Sequence, residues 1–118
     1  MPKRILIIED EKDIVQLLST RLREAQYEIL FAYDGEEGLR LAQTLTPDLI
    51  IMDIKIPKMD GWSVAKALKK EDPTRKIPII VLSGYRQMQD LFKQEGILDY
   101  FIKPFDVEDL VRKIEMRI

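Results

Sequence analysis

Two different periods of apolar residues divide this chain. Five short runs are apolar at consecutive positions and rich in β-formers, which predicts buried strands; these runs lie at 4–8, 28–33, 48–53, 79–82 and 98–102. Consecutive burial is typical of strands in a parallel sheet that is covered on both faces. The third run organises the others because its apolar residues end abruptly on a carboxylate, Asp53.

Between these runs, apolar residues recur every three or four positions, which predicts amphipathic helices packed on the sheet. We expect the helices at about 13–25, 36–45, 62–71, 87–95 and 107–118. The first stripe comprises Ile14, Leu17, Leu18, Leu22 and Ala25, and the last comprises Val107, Leu110, Val111, Ile114 and Ile118. The fourth stripe is the weakest, with only Met88, Leu91 and Phe92.

Residues suited to helix ends frame these segments. Asp34 and Asp106 are expected N-caps, because a carboxylate accepts hydrogen bonds from the free N–H groups of a first turn. Gly96 is an expected C-terminal stop, since glycine adopts the left-handed conformation at no steric cost. Pro47 and Pro73 end the second and third helices. Strands alternating with helices then predict an α/β fold with a parallel sheet.

Right-handed crossovers leave few topologies for such a chain. At this size the flavodoxin-like, doubly wound (βα)5 fold with strand order 2-1-3-4-5 is the expected one, in which strands 1 and 3 are neighbours. At 118 residues the chain is expected to form one domain, residues 1–118.

Composition narrows the function by exclusion. The net charge of −2 gives no reason to expect a nucleic-acid or membrane surface. The sequence has 0 cysteines and 0 histidines, which excludes disulfides, the usual zinc sites and histidine acid–base chemistry. No apolar run is long enough to span a bilayer and no signal-peptide pattern opens the chain, so we expect a cytoplasmic protein.

Polar side chains follow the buried strands at the edge where ligands bind in open α/β sheets. Glu9 and Asp10 follow the first strand, Asp53 ends the third, Ser83 follows the fourth and Lys103 follows the fifth. Three carboxylates so close together repel one another unless cations compensate them. Lys103 is one such cation, and a hard site of several carboxylates suits Mg²⁺ as the other.

This arrangement favours phosphoryl chemistry on Asp53. An Asp carboxylate can attack phosphorus and become an acyl phosphate, while Mg²⁺ and Lys103 neutralise the transferring group. Ser83 can donate a hydrogen bond to a phosphoryl oxygen, and the backbone carbonyl of Lys55 is the expected main-chain metal ligand. Each residue alone has an ordinary explanation as a turn or a helix cap; their joint position on one edge does not.

These residues resemble, end to end, a receiver domain of a two-component response regulator. The resemblance rests on the acidic pair Glu9-Asp10, the phosphoacceptor Asp53, the turn Met59-Asp60-Gly61, the switch residues Ser83 and Tyr100, and the signature Lys103-Pro104-Phe105. It implies Mg²⁺-dependent transfer of a phosphoryl group to Asp53 from a phosphohistidine on a sensor histidine kinase or phosphotransfer protein. It also implies a cis peptide bond before Pro104, and a signalling domain rather than an enzyme.

The same resemblance implies how the signal leaves the domain. Ser83 would move toward the phosphoryl group, and Tyr100 would rotate from an exposed to a buried position. The face formed by helix 4, strand 5 and helix 5 would then bind an output partner or a second copy of the chain. On this face we expect Asp99 to pair with Arg112.

The sequence departs from the family pattern in several places. Gly84 stands where the family usually has alanine, and the segment 96–99 is more apolar than usual. Lys55 and Tyr85 occupy positions that border the phosphoryl group, which gives the hypothesis that they alter the rate of its hydrolysis.

Other functions fit the sequence less well. An Asp-nucleophile phosphatase needs a second Asp where Lys55 stands, and a flavin carrier needs a phosphate-binding loop where 9–13 is acidic. The sequence also lacks the glycine-rich turn that dinucleotide-binding proteins require. A receiver-like module that binds partners without phosphorylation remains the alternative.

Overall fold

The computed structural model describes all of residues 1–118 and has five strands and five main helices. They are β1 (Arg4–Ile8), α1 (Lys12–Glu24), β2 (Glu28–Ala32), α2 (Gly35–Leu45), β3 (Leu49–Asp53), α3 (Gly61–Lys70), β4 (Ile79–Ser83), α4 (Gln89–Gln94), β5 (Asp99–Ile102) and α5 (Val107–Arg117). All strand pairs are parallel and the order is β2-β1-β3-β4-β5. The predicted fold class and strand order are therefore confirmed.

Burial on both faces of the sheet explains the uninterrupted apolar runs. Every residue of β3 and of β4 is buried. On one face, Ile50 and Met52 pack in a cluster with residues of α2, α3 and α4. On the other face, Leu49 and Ile51 pack with residues of α1 and α5. The core thus holds the central strands rigidly, and their carboxyl ends are fixed relative to one another.

The predicted helix caps are present. The Asp34 carboxylate accepts the Glu37 N–H at 2.8 Å, and the Asp106 carboxylate accepts the N–H groups of Glu108 and Asp109. Gly96 has φ +81°, the left-handed conformation expected of a helix stop. These short-range contacts depend only on neighbouring residues, which is why the sequence predicts them well.

The predicted burial of two apolar helix residues is wrong. Leu17 is 51% exposed and Leu91 is 40% exposed, although both continue an apolar repeat. In α1 the buried face consists of Val15, Leu18, Ser19 and Leu22, so the helix is rotated relative to the predicted stripe. The rotation points Leu17 outward, because the packing against the sheet, rather than the local repeat, sets the phase of the helix.

The structure contains two short helical turns that were not predicted as separate elements. A single turn, Asp72–Arg75, follows α3, with Pro73 in its first turn and the buried Thr74 hydroxyl donating to the Leu68 carbonyl at 2.7 Å. A 3₁₀ turn, Arg86–Met88, precedes α4 and takes up the beginning of the predicted fourth helix. No helix in the structure has the length and apolarity needed to cross a bilayer.

The expected pair between Asp99 and Arg112 is wrong. The buried Asp99 carboxylate accepts two hydrogen bonds from Arg117, at 2.7 and 2.9 Å. Arg112 pairs instead with Asp109, one turn earlier on its own helix. The Asp99–Arg117 contact ties the end of α5 to the start of β5.

The packing at Gly61 predicts a large effect of adding one methyl group. A Cβ at Gly61 would lie 2.3 Å from the carbonyl oxygen of Asp53, whereas a Cβ at Gly84 would have no neighbour within 4 Å. We expect Gly61→Ala to lower the free energy of unfolding by about 1–3 kcal/mol. Gly84→Ala is the matched control and should change it by less than about 0.5 kcal/mol.

Urea denaturation of both variants measures these values. Equal effects of the two substitutions would contradict the close backbone approach between the start of α3 and the end of β3.

Candidate functional site

The ends of β1 and β3 bring three carboxylates together. Ile8 and Met52 are paired in the sheet, so Glu9 and Asp10 emerge beside Asp53. Carboxylate oxygens of these three residues all lie within 4.8 Å of one another. Glu9 and Asp53 are buried, while Asp10 is exposed. The neighbouring strands predicted from the sequence thus produce the predicted acidic cluster.

Lys103 reaches this cluster from the loop after β5. Its ammonium donates to Glu9 Oε1 at 2.7 Å, to Asp53 Oδ2 at 3.0 Å and to Glu11 Oε1 at 3.3 Å. Its backbone N–H donates to the Ser83 carbonyl at 2.9 Å, which anchors the loop on β4. The expected cis peptide bond before Pro104 is present.

Glu11 is a contact that the sequence analysis missed. Its only signal was its place directly after the acidic pair, in a stretch that also suits a solvated turn.

The Asp53 carboxylate is oriented by two donors. Its Oδ1 accepts the backbone N–H of Ile54 at 2.7 Å, and its Oδ2 accepts the ammonium of Lys103. Each oxygen can accept further hydrogen bonds or a metal ion, because a carboxylate oxygen carries two lone pairs. The side chain is thus fixed in direction and still has lone pairs available for chemistry.

Burial dominates the electrostatics of Glu9. Burial raises the pKa of Glu9 to about 7, with the Asp53 charge adding to the rise and the Lys103 hydrogen bond opposing it. Burial also acts to lower the pKa of Lys103. The hydrogen bonds to Glu9 and Asp53 act in the opposite direction and raise that pKa above its ordinary value. Lys103 therefore stays charged, while Glu9 titrates near neutral pH.

An open pocket of about 440 Å³ gives access to these groups. Its lining comprises Asp10, Glu11, Asp53, Lys55, Gly84, Tyr85 and Lys103. Lys55 and Tyr85 form one side of its mouth, where the Lys55 ammonium donates to the Tyr85 hydroxyl at 3.1 Å. This hydrogen bond raises the pKa of Lys55 above its ordinary value.

Ser83 and Tyr100 both connect to Tyr85. The Ser83 side chain is fully buried, and its hydroxyl oxygen accepts the Tyr85 N–H at 3.0 Å. The Tyr100 hydroxyl donates to the Tyr85 carbonyl, and its ring is half-buried, 5.9 Å from the ring of Phe92. The Tyr100 side chain thus reaches from β5 to the loop after β4, where the backbone of Tyr85 links it to Ser83.

The acidic cluster fits a divalent cation. The cluster has three carboxyl groups and a single ammonium, that of Lys103, which pairs with Glu9 and Asp53. All of its donors are hard oxygen atoms, the ligands that Mg²⁺ prefers, and Asp10 is exposed to solvent. The side chains present therefore suit Mg²⁺ better than a soft metal ion.

Comparison with known proteins agrees with this geometry. Residues 5–115 match the family model of the response regulator receiver domain. The chain is 41% identical over 113 residues to the DNA-binding dual master transcriptional regulator RpaA of Synechocystis. The aligned region covers 94% of this chain and 47% of RpaA. The chain thus spans about half the length of this curated relative.

Solved structures give the same result at the level of the fold. The chemotaxis response regulator CheY4 of Vibrio cholerae superposes with a TM-score of 0.92 at 29% identity, covering 100% of both chains. The response regulator TrrA of Thermotoga maritima, solved in complex with Mg²⁺–BeF, has a TM-score of 0.88 at 33% identity, covering 98% of this chain and 99% of TrrA.

The raised pKa of Glu9 predicts that Mg²⁺ binding depends on pH. Below a pKa of about 7 the Glu9 carboxyl holds a proton, which a metal ion must displace. The affinity for Mg²⁺ should therefore fall by about tenfold between pH 8 and pH 6. Calorimetric titration with MgCl₂ at several pH values measures this change.

Glu9→Gln is the control for this prediction. It should bind Mg²⁺ more weakly and show a flatter pH profile, because the titrating group is gone. An unchanged slope in Glu9→Gln would assign the pH dependence to another group.

Proposed function

This chain belongs to the response regulator receiver family, and on that premise we propose that Asp53 accepts a phosphoryl group from a phosphohistidine of a sensor histidine kinase or phosphotransfer protein. The observation that carries the proposal is the oriented, buried Asp53 carboxylate, which hydrogen-bonds to Lys103 at the floor of an open pocket. An oxygen of Asp53 forms a bond to phosphorus, and the bond from phosphorus to the imidazole nitrogen breaks. The bonding electron pair leaves with that nitrogen.

The residues around Asp53 have separate tasks in this reaction. Lys103 holds one carboxylate oxygen in place, and its ammonium offsets charge on the phosphoryl oxygens. Glu9, Asp10 and Asp53 would hold Mg²⁺ together with the Lys55 carbonyl. When bound, Mg²⁺ supplies charge neutralisation to the transferring group. TrrA, which is 33% identical to this chain, was solved in complex with Mg²⁺–BeF, and this similarity supports Mg²⁺ as the metal ion.

Ser83 and Tyr100 are proposed to pass the signal on. A phosphoryl group on Asp53 would accept a hydrogen bond from the Ser83 hydroxyl and draw it closer, while the oxygen of that hydroxyl accepts the Tyr85 N–H. Movement of Ser83 therefore changes the loop whose carbonyl accepts the Tyr100 hydroxyl. In this structure Tyr100 is already half-buried, so phosphorylation would stabilise this position rather than create it.

The face formed by α4, β5 and α5 is the proposed output surface. Exposed apolar side chains lie on or next to these elements: Leu91 is 40%, Leu98 64% and Met116 68% exposed. An output partner or a second copy of the chain would cover them. Bulk charge gives no support for direct contact with nucleic acid or membrane.

A receiver-like module that acts without phosphorylation is the second candidate. The exposed apolar side chains on the output surface favour partner binding in either case. Buried carboxylates are costly, however, and such a module gains nothing from keeping Glu9 and Asp53 in one cluster.

The proposal predicts one phosphoryl group per chain. Incubation with Mg²⁺ and a small acyl-phosphate donor should add the mass of one phosphoryl group, because Asp53 is accessible from the pocket. The addition should be lost in Asp53→Asn and without Mg²⁺. Intact-mass spectrometry measures it, and Asp48→Asn, which changes a carboxylate at the opposite end of β3, is the matched control.

Modification that persists in Asp53→Asn would place the acceptor elsewhere. No modification, together with no spectral change on adding beryllofluoride and Mg²⁺, would favour the module that acts without phosphorylation.

The bridge between Lys55 and Tyr85 predicts a change in phosphoryl lifetime. It closes one side of the pocket mouth, and its removal should admit water to the acyl phosphate. We expect Lys55→Ala and Tyr85→Ala to shorten the half-life several-fold, as followed by the decay of the phosphorylated mass. Lys58→Ala, in the same loop, should leave it unchanged; equal lifetimes in all variants would contradict a role for the bridge.

A further inference from the structure

A second cavity lies beside the phosphoacceptor pocket, on the other side of the Lys55–Tyr85 bridge. This aromatic groove has a volume of about 380 Å³, and its lining comprises Ile54, Lys55, Asp60, Trp62, Tyr85, Gln87 and Met88. It contains none of the proposed acceptor or metal side chains. Its volume lies within the range of small-molecule binding sites, at the lower end.

Aromatic packing forms the walls of the groove in advance. The ring of Trp62 stands edge-on to the buried ring of Phe92, with the ring centres 5.0 Å apart and the planes at 79°. The ring of Tyr85 is held at its backbone by Ser83 and Tyr100 and at its hydroxyl by Lys55. A ligand therefore meets two positioned rings and does not have to order them.

The lining of the groove contains one cation, Lys55, without an ion-pair partner. The Lys55 ammonium forms no ion pair; its partner is the neutral Tyr85 hydroxyl, and it lies 5.6 Å from the centre of that ring. Outside the lining, the Lys66 ammonium lies 5.2 Å from the centre of the Trp62 ring.

The one carboxylate of the lining, Asp60, is engaged elsewhere. Its two oxygens accept the N–H and the hydroxyl of Ser63 at the start of α3, at 2.9 and 3.0 Å. Its negative charge therefore faces the N-terminus of the helix, while the ammonium of Lys55 remains available to an anionic ligand.

We propose that the aromatic groove binds a small aromatic carboxylate. The ring of the ligand packs against Trp62, Met88 and the ring of Tyr85, and its carboxylate accepts a hydrogen bond from the Lys55 ammonium. An uncharged ring buries the same apolar area and forgoes the charge-assisted hydrogen bond. A cationic ring is repelled by Lys55. The ligand class thus follows from the Lys55 ammonium, which has no ion-pair partner and lies at the edge of the groove.

The single tryptophan of the chain lines the groove, which allows a direct test. Two-dimensional ¹H–¹⁵N NMR follows the indole N–H of Trp62 while 2-naphthoate is added, with neutral 2-naphthalenemethanol as the comparison. The unphosphorylated chain is used without Mg²⁺, so the result does not depend on the proposed phosphoryl transfer. We expect a saturable shift with 2-naphthoate and an affinity about tenfold lower for the alcohol.

Three variants assign the binding to named side chains. Lys55→Gln should weaken 2-naphthoate binding by about tenfold, because the cation is lost. Tyr85→Phe keeps the ring and frees the Lys55 ammonium, so its affinity should equal or exceed that of the parent chain. Lys58→Gln, an exposed cation three residues from Lys55, should leave the affinity unchanged.

Several outcomes would overturn the proposal. They are a shift that does not saturate, equal affinity for the alcohol, a loss of affinity in Tyr85→Phe, or an equal loss in Lys58→Gln. The backbone spectrum of each variant reports whether it remains folded, so that a loss of binding is distinguished from a loss of structure.

Discussion

The ammonium of Lys103 is the interaction on which the site depends. Two carboxyl groups, Glu9 and Asp53, are buried within hydrogen-bonding distance of it, and burying them in the ionised form is costly without a compensating charge. Lys103 is itself held by its backbone bond to Ser83 on β4. One side chain therefore ties together the ends of β1 and β3 and the loop after β5, which are far apart in sequence and adjacent only through the parallel topology.

The sequence was sufficient to predict the sheet and the approach of Glu9, Asp10, Asp53 and Lys103 to one another. Strands buried on both faces leave uninterrupted apolar runs, and the first polar residue after each run marks the edge of the sheet. Once the order 2-1-3-4-5 was inferred, the approach of Glu9 and Asp53 followed from topology alone. Helix caps such as Asp34 were predictable for a different reason, since they involve only residues three positions apart.

The wrong predictions share a physical cause, because each depends on packing between residues that are distant in sequence. Leu17 fits a helical repeat, but the phase of α1 is set by which residues meet the sheet, and the polar Ser19 is buried in its place. Arg112 and Arg117 are equally plausible partners for Asp99 in the sequence; only the position of α5 selects Arg117. Such choices depend on a few ångströms of tertiary placement, which no local pattern encodes.

Lys55 and Tyr85 form a wall common to the phosphoacceptor pocket and the aromatic groove. If an anion in the groove accepts a hydrogen bond from the Lys55 ammonium, that ammonium moves away from the mouth of the phosphoacceptor pocket. Thermodynamic linkage makes such an effect reciprocal. If a ligand in the groove changes the affinity of the pocket for a second ligand, the second ligand must change the affinity of the groove by the same factor. The Tyr85 backbone extends this relation to Ser83 and Tyr100, since it hydrogen-bonds to both. The Lys55–Tyr85 bridge, together with Ile54, which lines the groove and donates its N–H to Asp53 at 2.7 Å, would therefore connect a ligand in the groove with a group on Asp53.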